Sequence, residues 1–245
     1  MALSGIVKKI SPHTLLEWDG KIAAVFYTSG CNFRCSFCHS GELIRSGGEG
    51  ISPRQIRDFL KSQRDALDGV VISGGEPTMH AQLPRLLEQI KQEGLAVKLD
   101  TNGTNPAAVQ ALIAAGLVDY VAMDIKAPLE RRTYERLVEA GVDIAALEET
   151  IAVLIQSAID YEFRTTVIPG ILLRQDILSI AQRLRGACRY VLQQFQPEIT
   201  YAPAMQYLSP YTTEELWAWA ERAREYVGET YVRCTSQAAM PELAR

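Results

Sequence analysis

Three cysteines lie close together in the first part of the chain. Cys31, Cys35 and Cys38 are separated by three and then two residues. This spacing lets one short loop direct three thiolates at a metal centre and leaves one coordination position open. Structural zinc takes four ligands, and His39 adjoins Cys38 too directly to share a tetrahedral site with it easily. The spacing therefore favours an iron–sulfur centre, with a zinc site completed by a more distant cysteine as the alternative.

A glycine pair and a glutamate follow a later apolar run. Gly74, Gly75 and Glu76 are consecutive, and Pro77 comes next. A glycine pair after a strand is often only a tight turn. Glycines also let the backbone approach a ligand closely, and a carboxylate can accept hydrogen bonds from an ammonium group. Both interpretations of this turn are open from the residues alone.

Charged residues end or follow the next apolar runs. Asp100 and Thr101 close one run, Asp124 and Lys126 close another, and Arg164 lies within a later one. Residues that are two positions apart on a strand have side chains on the same face. Asp124 and Lys126 therefore form either an internal ion pair or part of a ligand site. Arg164 has the same two possibilities, a salt bridge inside the fold or a ligand contact.

The elements that must position these residues alternate between strands and helices. Six β-rich apolar runs are predicted strands, at residues 23–29, 69–73, 96–101, 120–125, 163–168 and 190–195. Segments between and after them have helical periodicity, at residues 52–67, 83–94, 105–116, 144–160, 175–184 and 212–226. Ser52 with Gln55, and Thr212 with Glu215, are capping-box pairs at two of the helix starts.

Repeated strand–helix units predict an α/β fold with a parallel sheet and right-handed crossovers. Six units predict a partial (β/α)6 TIM-like barrel, whose functional loops lie at the carboxyl ends of the strands. We expect a single domain over residues 1–245, with its core at about 20–200 and a C-terminal helix and tail at about 210–245. The last stretch, 235–245, has no clear pattern.

Composition limits the classes of partner. The chain of 245 residues is 47% hydrophobic and has a formal net charge of -4, without a basic stripe. Neither nucleic acid nor a membrane is therefore expected as a partner, and no window approaches the roughly 18 apolar residues of a membrane span. Five cysteines, an odd number, do not suggest a disulfide framework, so we expect a reducing, cytoplasmic setting. Cys188 and Cys234 are expected to be core or surface thiols.

The combination of these motifs resembles the radical S-adenosylmethionine (SAM) superfamily. The features in common are C-x3-C-x2-C after a first strand, an aromatic residue, Phe37, before the last cysteine, and Gly-Gly-Glu after the next strand. The resemblance implies that the three thiolates hold a 4Fe-4S cluster whose open iron binds the amino and carboxylate groups of SAM. It also implies that Phe37 packs near the adenine and that residues 74–76 bind the SAM amino group.

Within the superfamily the chain is most similar to the activases of glycyl-radical enzymes, and among them to the activating proteins of anaerobic ribonucleoside-triphosphate reductase. This similarity places Asp100, Thr101 and Asp124 around SAM and a monovalent cation, Lys126 near the SAM carboxylate, and Arg164 on a comparable strand. It implies a flavodoxin- or ferredoxin-type electron donor and a 5′-deoxyadenosyl radical that takes hydrogen from a backbone glycine of a partner enzyme.

The sequence departs from that group at two places. Ser40 stands where an asparagine is usual. Gln193 and Gln194 occupy the region where the similar pyruvate formate-lyase activase has a late-strand histidine that helps bind SAM. A radical SAM enzyme acting on a small molecule or a peptide is thus an alternative function. A zinc-bound structural module is a third hypothesis, from a different class.

Overall fold

The computed structural model describes residues 5–45 and 48–234 of the protein. One sheet of eight strands runs through it, and the strands follow one another in sequence order. The strands are β1 (Val7–Thr14), β2 (Ala23–Thr28), β3 (Gly69–Gly74), β4 (Ala96–Thr101), β5 (Tyr120–Asp124), β6 (Asp160–Val167), β7 (Arg189–Gln194) and β8 (Glu229–Arg233). β1 is antiparallel to β2, and every later neighbouring pair is parallel. The predicted α/β class with a parallel sheet is confirmed, and the six predicted strands are β2 to β7.

Helices connect the parallel strands. They are α1 (Pro53–Gln63), α2 (Leu83–Gln92), α3 (Pro106–Ala114), α4 (Arg131–Val138), α5 (Ile144–Gln156), α6 (Arg174–Arg183) and α7 (Thr213–Ala223). Both predicted capping boxes are present, with the Ser52 and Thr212 side chains accepting hydrogen bonds from the N–H groups of Gln55 and Glu215. These caps satisfy N–H groups that a helix leaves unpaired at its first turn.

Three elements had no clear sequence signal. β1 is mostly half-buried or exposed, β8 has five residues, and α4 is a short polar helix whose N-cap side chain makes no capping bond. α5 ends earlier than predicted because Ser157 turns away from the helix, with its N–H and Oγ both donating to the Leu154 carbonyl. The strand that follows begins at Asp160. The patternless stretch 235–245 lies outside the described residues.

The two faces of the sheet bury different kinds of residue. The outer face packs the apolar side chains of the strands against the helices, as in the near-continuous buried runs of β3 and β4. The inner face encloses a lumen. At its amino end the lumen is closed by Trp18, which lies 5.9 Å from the ring of Tyr120. Gly69 leaves room for this indole, since a Cβ there would lie 2.8 Å from a Trp18 ring carbon.

Above this floor the lumen contains buried charges. The Lys98 side chain is 2% exposed, donates to the Glu17 carbonyl at 2.5 Å, and lies 3.6 Å from the Glu162 carboxylate. Glu162 also accepts from the Tyr120 hydroxyl at 3.1 Å and pairs with Arg233 at 3.3 Å. Buried charges are tolerated only when they are paired and hydrogen-bonded, and these meet both conditions.

The Glu162 carboxylate gives the first prediction. Burial would raise its pKa, but Lys98, Arg233 and Arg164 outweigh that effect and hold the pKa at about 2, below its ordinary value of 4.5. Its contribution to stability is therefore complete above about pH 4.5 and is lost as the pH falls toward 2. Glu162→Gln should lower the free energy of unfolding at pH 7 by about 3 kcal/mol, measured by urea titration.

The matched control is the exposed Glu88 on α2, where Glu88→Gln should change little. The double variant Lys98→Met, Glu162→Leu should be more stable than Glu162→Gln alone, because the buried Lys98 charge is then absent and Arg233 still has Asp19 at 3.5 Å. A Glu162→Gln protein as stable as wild type at pH 7 would contradict this account.

Candidate functional site

The three cysteines lie on one loop that follows β2, which we call the Cys loop (residues 29–40). Its first turn is fixed by Gly30, whose φ of +86° is a left-handed conformation that glycine adopts without strain. The Gly30 N–H donates to the Leu43 carbonyl at 2.7 Å, and the Cys31 N–H donates to the Ile44 carbonyl at 3.1 Å. The segment after the loop therefore holds the loop's start in place.

The rest of the Cys loop rests on two neighbouring segments. The Arg34 N–H donates to the Val138 carbonyl at the end of α4, and Phe33 lies 6.2 Å from the ring of Tyr134 on that helix. On the other side, the Ala202 N–H donates to the Ser36 carbonyl at 2.8 Å. A short loop without regular structure is thus anchored by parts of the protein far away in sequence.

All three loop cysteines are free thiols, two half-buried and Cys35 buried. Burial raises the pKa of each thiol, to about 12 for Cys35, while the nearby Lys126 ammonium lowers it. Among the described residues no three His, Cys, Asp or Glu are placed to hold one metal ion together. A 4Fe-4S cluster holds its thiolates on separate irons and so needs a wider arrangement. Three free thiols on one anchored loop fit that donor set, and binding would displace their protons.

The glycine pair of the sequence lies directly against the Cys loop. The Gly75 N–H donates to the Thr28 carbonyl at 2.9 Å, and the Glu76 N–H donates to the Gly30 carbonyl at 2.8 Å. A Cβ on Gly75 would lie 2.0 Å from the Gly30 oxygen, and Gly74 has a φ of +107°. Both positions therefore require glycine, for close approach at one and for backbone conformation at the other.

The Glu76 carboxylate bonds to neighbouring loops of the protein itself. It is 1% exposed and accepts from the Thr78 N–H and Oγ1 at 3.1 and 2.5 Å. It also accepts from Thr101 Oγ1 at 2.8 Å and from the Asn102 N–H at 2.7 Å. Burial raises the pKa of Glu76, although these bonds favour the ionised form. Glu76 therefore ties the loop after β3 to the loop after β4.

The charged residues predicted at the strand ends come together as one network. Arg164 donates to Asp124 at 2.8 Å and lies 3.3 Å from Asp100, while Lys126 donates to Asp124 at 2.8 Å. Burial would raise the pKa of Asp124, but Arg164 and Lys126 lower it to about 2. The Lys126 nitrogen also lies 5.8 Å from the ring centroid of Phe37. The ion pairs, one of the two possibilities left open by the sequence, are present and border the Cys loop.

Several polar residues that the sequence did not single out complete this region. Asn32 on the Cys loop accepts from the Asn102 amide at 2.8 Å and donates to Thr104 at 2.9 Å. Ser73 Oγ donates to Asp100 at 2.9 Å, and the Tyr134 hydroxyl accepts from the Lys126 N–H at 3.0 Å. Of these residues, only Asn102 could have been identified from the sequence, because it directly follows the end of a predicted strand.

Three other residues were possible metal ligands from the sequence, and they differ from the three loop cysteines in exposure or in location. Cys188 is exposed and precedes β7, at the amino end of the strands. Cys234 follows β8, and its sulfur lies 3.4 Å from Thr213 Oγ1 at the start of α7. His39 is exposed beside Cys38.

A family profile described as the Radical SAM superfamily matches residues 25–184. This match spans β2 to α6 and includes the Cys loop, the Gly-Gly-Glu turn and the charged network. The protein therefore belongs to the radical SAM superfamily. Membership implies a 4Fe-4S cluster and SAM as cofactors.

Curated relatives give a finer comparison. A Methanocaldococcus jannaschii protein, provisionally named a glycyl-radical enzyme activating enzyme, is 29% identical over 239 residues, which are 94% of the present protein and 97% of that relative. A 7-carboxy-7-deazaguanine synthase of Neisseria meningitidis serogroup B is 38% identical over 111 residues, which are 45% of the present protein and 47% of that enzyme.

Solved structures support the fold. The crystal structure of Streptococcus suis SuiB bound to S-adenosylmethionine matches with a TM-score of 0.66 at 14% identity, covering 90% of the present protein and 52% of SuiB. The structure of TYW1 with a lysine–pyruvate adduct matches with a TM-score of 0.63 at 15% identity, covering 83% of the present protein and 73% of TYW1. The predicted TIM-like partial barrel is thereby confirmed. No helix among the described residues combines the length and apolarity of a membrane span.

The bonding of Glu76 predicts a large effect of an uncharged replacement. A glutamine has one acceptor oxygen, and its amide hydrogens would face donor groups of Thr101 or Asn102. Glu76→Gln should therefore lower the free energy of unfolding by about 2 kcal/mol. Urea unfolding at pH 7 measures it, with the exposed Glu42→Gln as the matched control. Equal stability of the two variants would contradict the role of Glu76 as a tie between loops.

Proposed function

We propose that this protein performs reductive cleavage of SAM at a 4Fe-4S cluster held by Cys31, Cys35 and Cys38, and generates a glycyl radical on a partner enzyme. The observation that carries the proposal is the anchored loop of three free thiols against the Gly-Gly-Glu turn. The partner is proposed from the M. jannaschii relative, which aligns over almost the full length of both proteins. An anaerobic ribonucleotide reductase is the glycyl-radical enzyme that the sequence favours.

The residues around the Cys loop have different proposed tasks. Phe37 is buried within the loop beside Lys126 and is proposed to pack near the adenine through its apolar ring. The ammonium group of SAM is proposed to bind the turn of Gly74 and Gly75 through main-chain oxygens, because the Glu76 carboxylate already accepts four hydrogen bonds. Glu76 then acts on the ligand by fixing the shape of the turn.

The charged network is proposed to complete the SAM site. Lys126 is half-buried and near the Cys loop, which suits a contact with the SAM carboxylate. Asp100, Thr101 and Asp124 are proposed to line the site, with a monovalent cation near the two aspartates. Arg164, which bonds to both aspartates, would hold them in position.

When bound, the reduced cluster supplies the electron that splits SAM into methionine and a 5′-deoxyadenosyl radical. The protein's own residues bind and orient the ligands and exclude water, so no acid–base pair is needed. A flavodoxin- or ferredoxin-type protein is proposed as the electron donor, and an anaerobic cytoplasm as the setting.

A second candidate function keeps the same cofactors but acts on a small molecule. The observation that favours it is the likeness to the Neisseria 7-carboxy-7-deazaguanine synthase, which is higher in identity but spans less than half of either protein. The two functions share the cluster and SAM, so only the fate of the radical separates them.

The cluster assignment predicts the behaviour of cysteine variants. Each single replacement of a loop cysteine by serine, purified without oxygen, should lose most of the bound iron; the variants are Cys31→Ser, Cys35→Ser and Cys38→Ser. The rate of SAM cleavage should fall about a hundredfold, because the thiolate ligands determine both the binding of the cluster and its reduction potential. Cys188→Ser is the matched control and should retain both. Iron analysis and the yield of 5′-deoxyadenosine measure the outcome. One zinc per wild-type protein without iron would refute the proposal.

The proposed partner is tested by electron paramagnetic resonance. Reduced protein with SAM and the anaerobic ribonucleotide reductase of the same organism should give a glycyl doublet, and Cys35→Ser should give none. Cleavage of SAM without a doublet on any glycyl-radical enzyme would favour the small-molecule function.

A further inference from the structure

Cys35 and Cys38 lie at the two ends of one tight turn in the Cys loop. The Cys38 N–H donates to the Cys35 carbonyl at 3.0 Å, and Ser36 and Phe37 form the middle of the turn. Turns closed by this hydrogen bond differ in the orientation of their central peptide, which here joins Ser36 to Phe37. The orientation of that peptide decides which way the Phe37 N–H points.

A segment distant in sequence holds the central peptide of the turn. The Ser36 carbonyl accepts a hydrogen bond from the Ala202 N–H at 2.8 Å. The neighbouring Tyr201 packs closely on Gly41, where a Cβ would lie 2.5 Å from a carbon of the Tyr201 ring. Because the peptide is planar and trans, its N–H is antiparallel to its carbonyl, so the Phe37 N–H points away from Ala202.

The Phe37 N–H is buried without an acceptor. Phe37 is 4% exposed, and within residues 5–45 and 48–234 its N–H makes no hydrogen bond. A buried N–H without a partner costs stability and is rare in folded proteins. Such a group calls for an acceptor that binds at the site.

The other two loop cysteines indicate which acceptor this is. The Phe33 N–H, two residues after Cys31, donates to the Cys31 sulfur at 3.4 Å. Burial raises the pKa of the Cys38 thiol, and a hydrogen bond from the N–H of Ser40, two residues further on, opposes this effect. Phe37 has the same position relative to the third cysteine, and its N–H is the equivalent donor.

We infer that the Phe37 N–H donates to the Cys35 sulfur when the cluster is bound, and that the Ala202 N–H positions it by holding the Ser36 carbonyl. A hydrogen bond to a ligand sulfur stabilises the more negative, reduced state of an iron–sulfur cluster and so raises its reduction potential. This inference rests on the cluster ligands of the proposed function but not on its partner enzyme.

The test measures the reduction potential of the reconstituted protein by spectroscopic titration. Replacing Phe37 with phenyllactic acid, its α-hydroxy analogue, keeps the ring and removes the N–H. The equilibrium constant for reduction should fall about tenfold, as expected for the loss of one hydrogen bond, which is a potential about 59 mV lower. The matched control is the replacement of the exposed Ala204 by lactic acid, which should leave the potential unchanged.

Replacement of Ala202 by lactic acid tests the positioning role. The Ser36 carbonyl then loses its donor, so the potential should fall, but by less than in the Phe37 variant. With both replacements the potential should equal that of the Phe37 variant, because Ala202 acts only through the Phe37 N–H. A purely structural effect of Ala202 would change the potential equally in both backgrounds. Iron content and Tm verify that each variant is folded and loaded.

Two outcomes would overturn the inference: a wild-type potential in the Phe37 variant, or effects of the two replacements that simply add. The Ala202 replacement leaves the Cys loop chemically unchanged. If the Phe37 variant takes up no iron, a wild-type potential in the Ala202 variant overturns the inference, and a lowered one supports it. Failure of the proposed partner is distinguishable, because a missing glycyl doublet does not affect the potential. A wild-type protein without iron would refute the ligand assignment and this inference together.

Discussion

The contact between two glycine-containing turns is the constraint on which the site depends. Gly30 and Gly75 approach so closely that a single methyl group on Gly75 would overlap the Gly30 oxygen. The two hydrogen bonds across this contact join the ends of β2 and β3. Because the Cys loop starts at one turn and Glu76 follows the other, backbone atoms fix the position of the thiols relative to the loop after β3. The Glu76 carboxylate then connects that loop to the loop after β4.

Much of this arrangement could be predicted from the sequence because its signals are local. The strands β2 to β7 are buried apolar runs, and Ser52 and Thr212 mark helix starts through a side chain three residues from its partner. The Cys spacing and the Gly-Gly-Glu turn are likewise short motifs. Their meeting in space follows from the rule that parallel strands present their carboxyl ends at one edge.

Other parts could not be predicted, since their causes are distant in sequence. β1 is polar and half-exposed and is a strand only through its pairing with β2. Lys98 and Glu162 are far apart in sequence, and residues of their types are rarely buried without a partner. The role of Glu76 depends on donors at Thr101 and Asn102 in the next loop, so the motif identified the turn but not what its carboxylate binds.

The two ends of the lumen differ in how readily their charges can change partners. Just above the Trp18 floor, the side chains of Lys98 and Glu162 are 2% and 1% exposed, so water could not replace either partner if the two were separated. At the carboxyl end, Lys126 and Asp124 are 17% and 23% exposed, and water reaches both groups. An incoming carboxylate can therefore replace Asp124 as the partner of Lys126 at modest cost, while Arg164 keeps Asp124 in place. The lumen thus combines a fully buried ion pair near its amino end with a partly exposed one at its carboxyl end, and the second is the one that we propose for the SAM site.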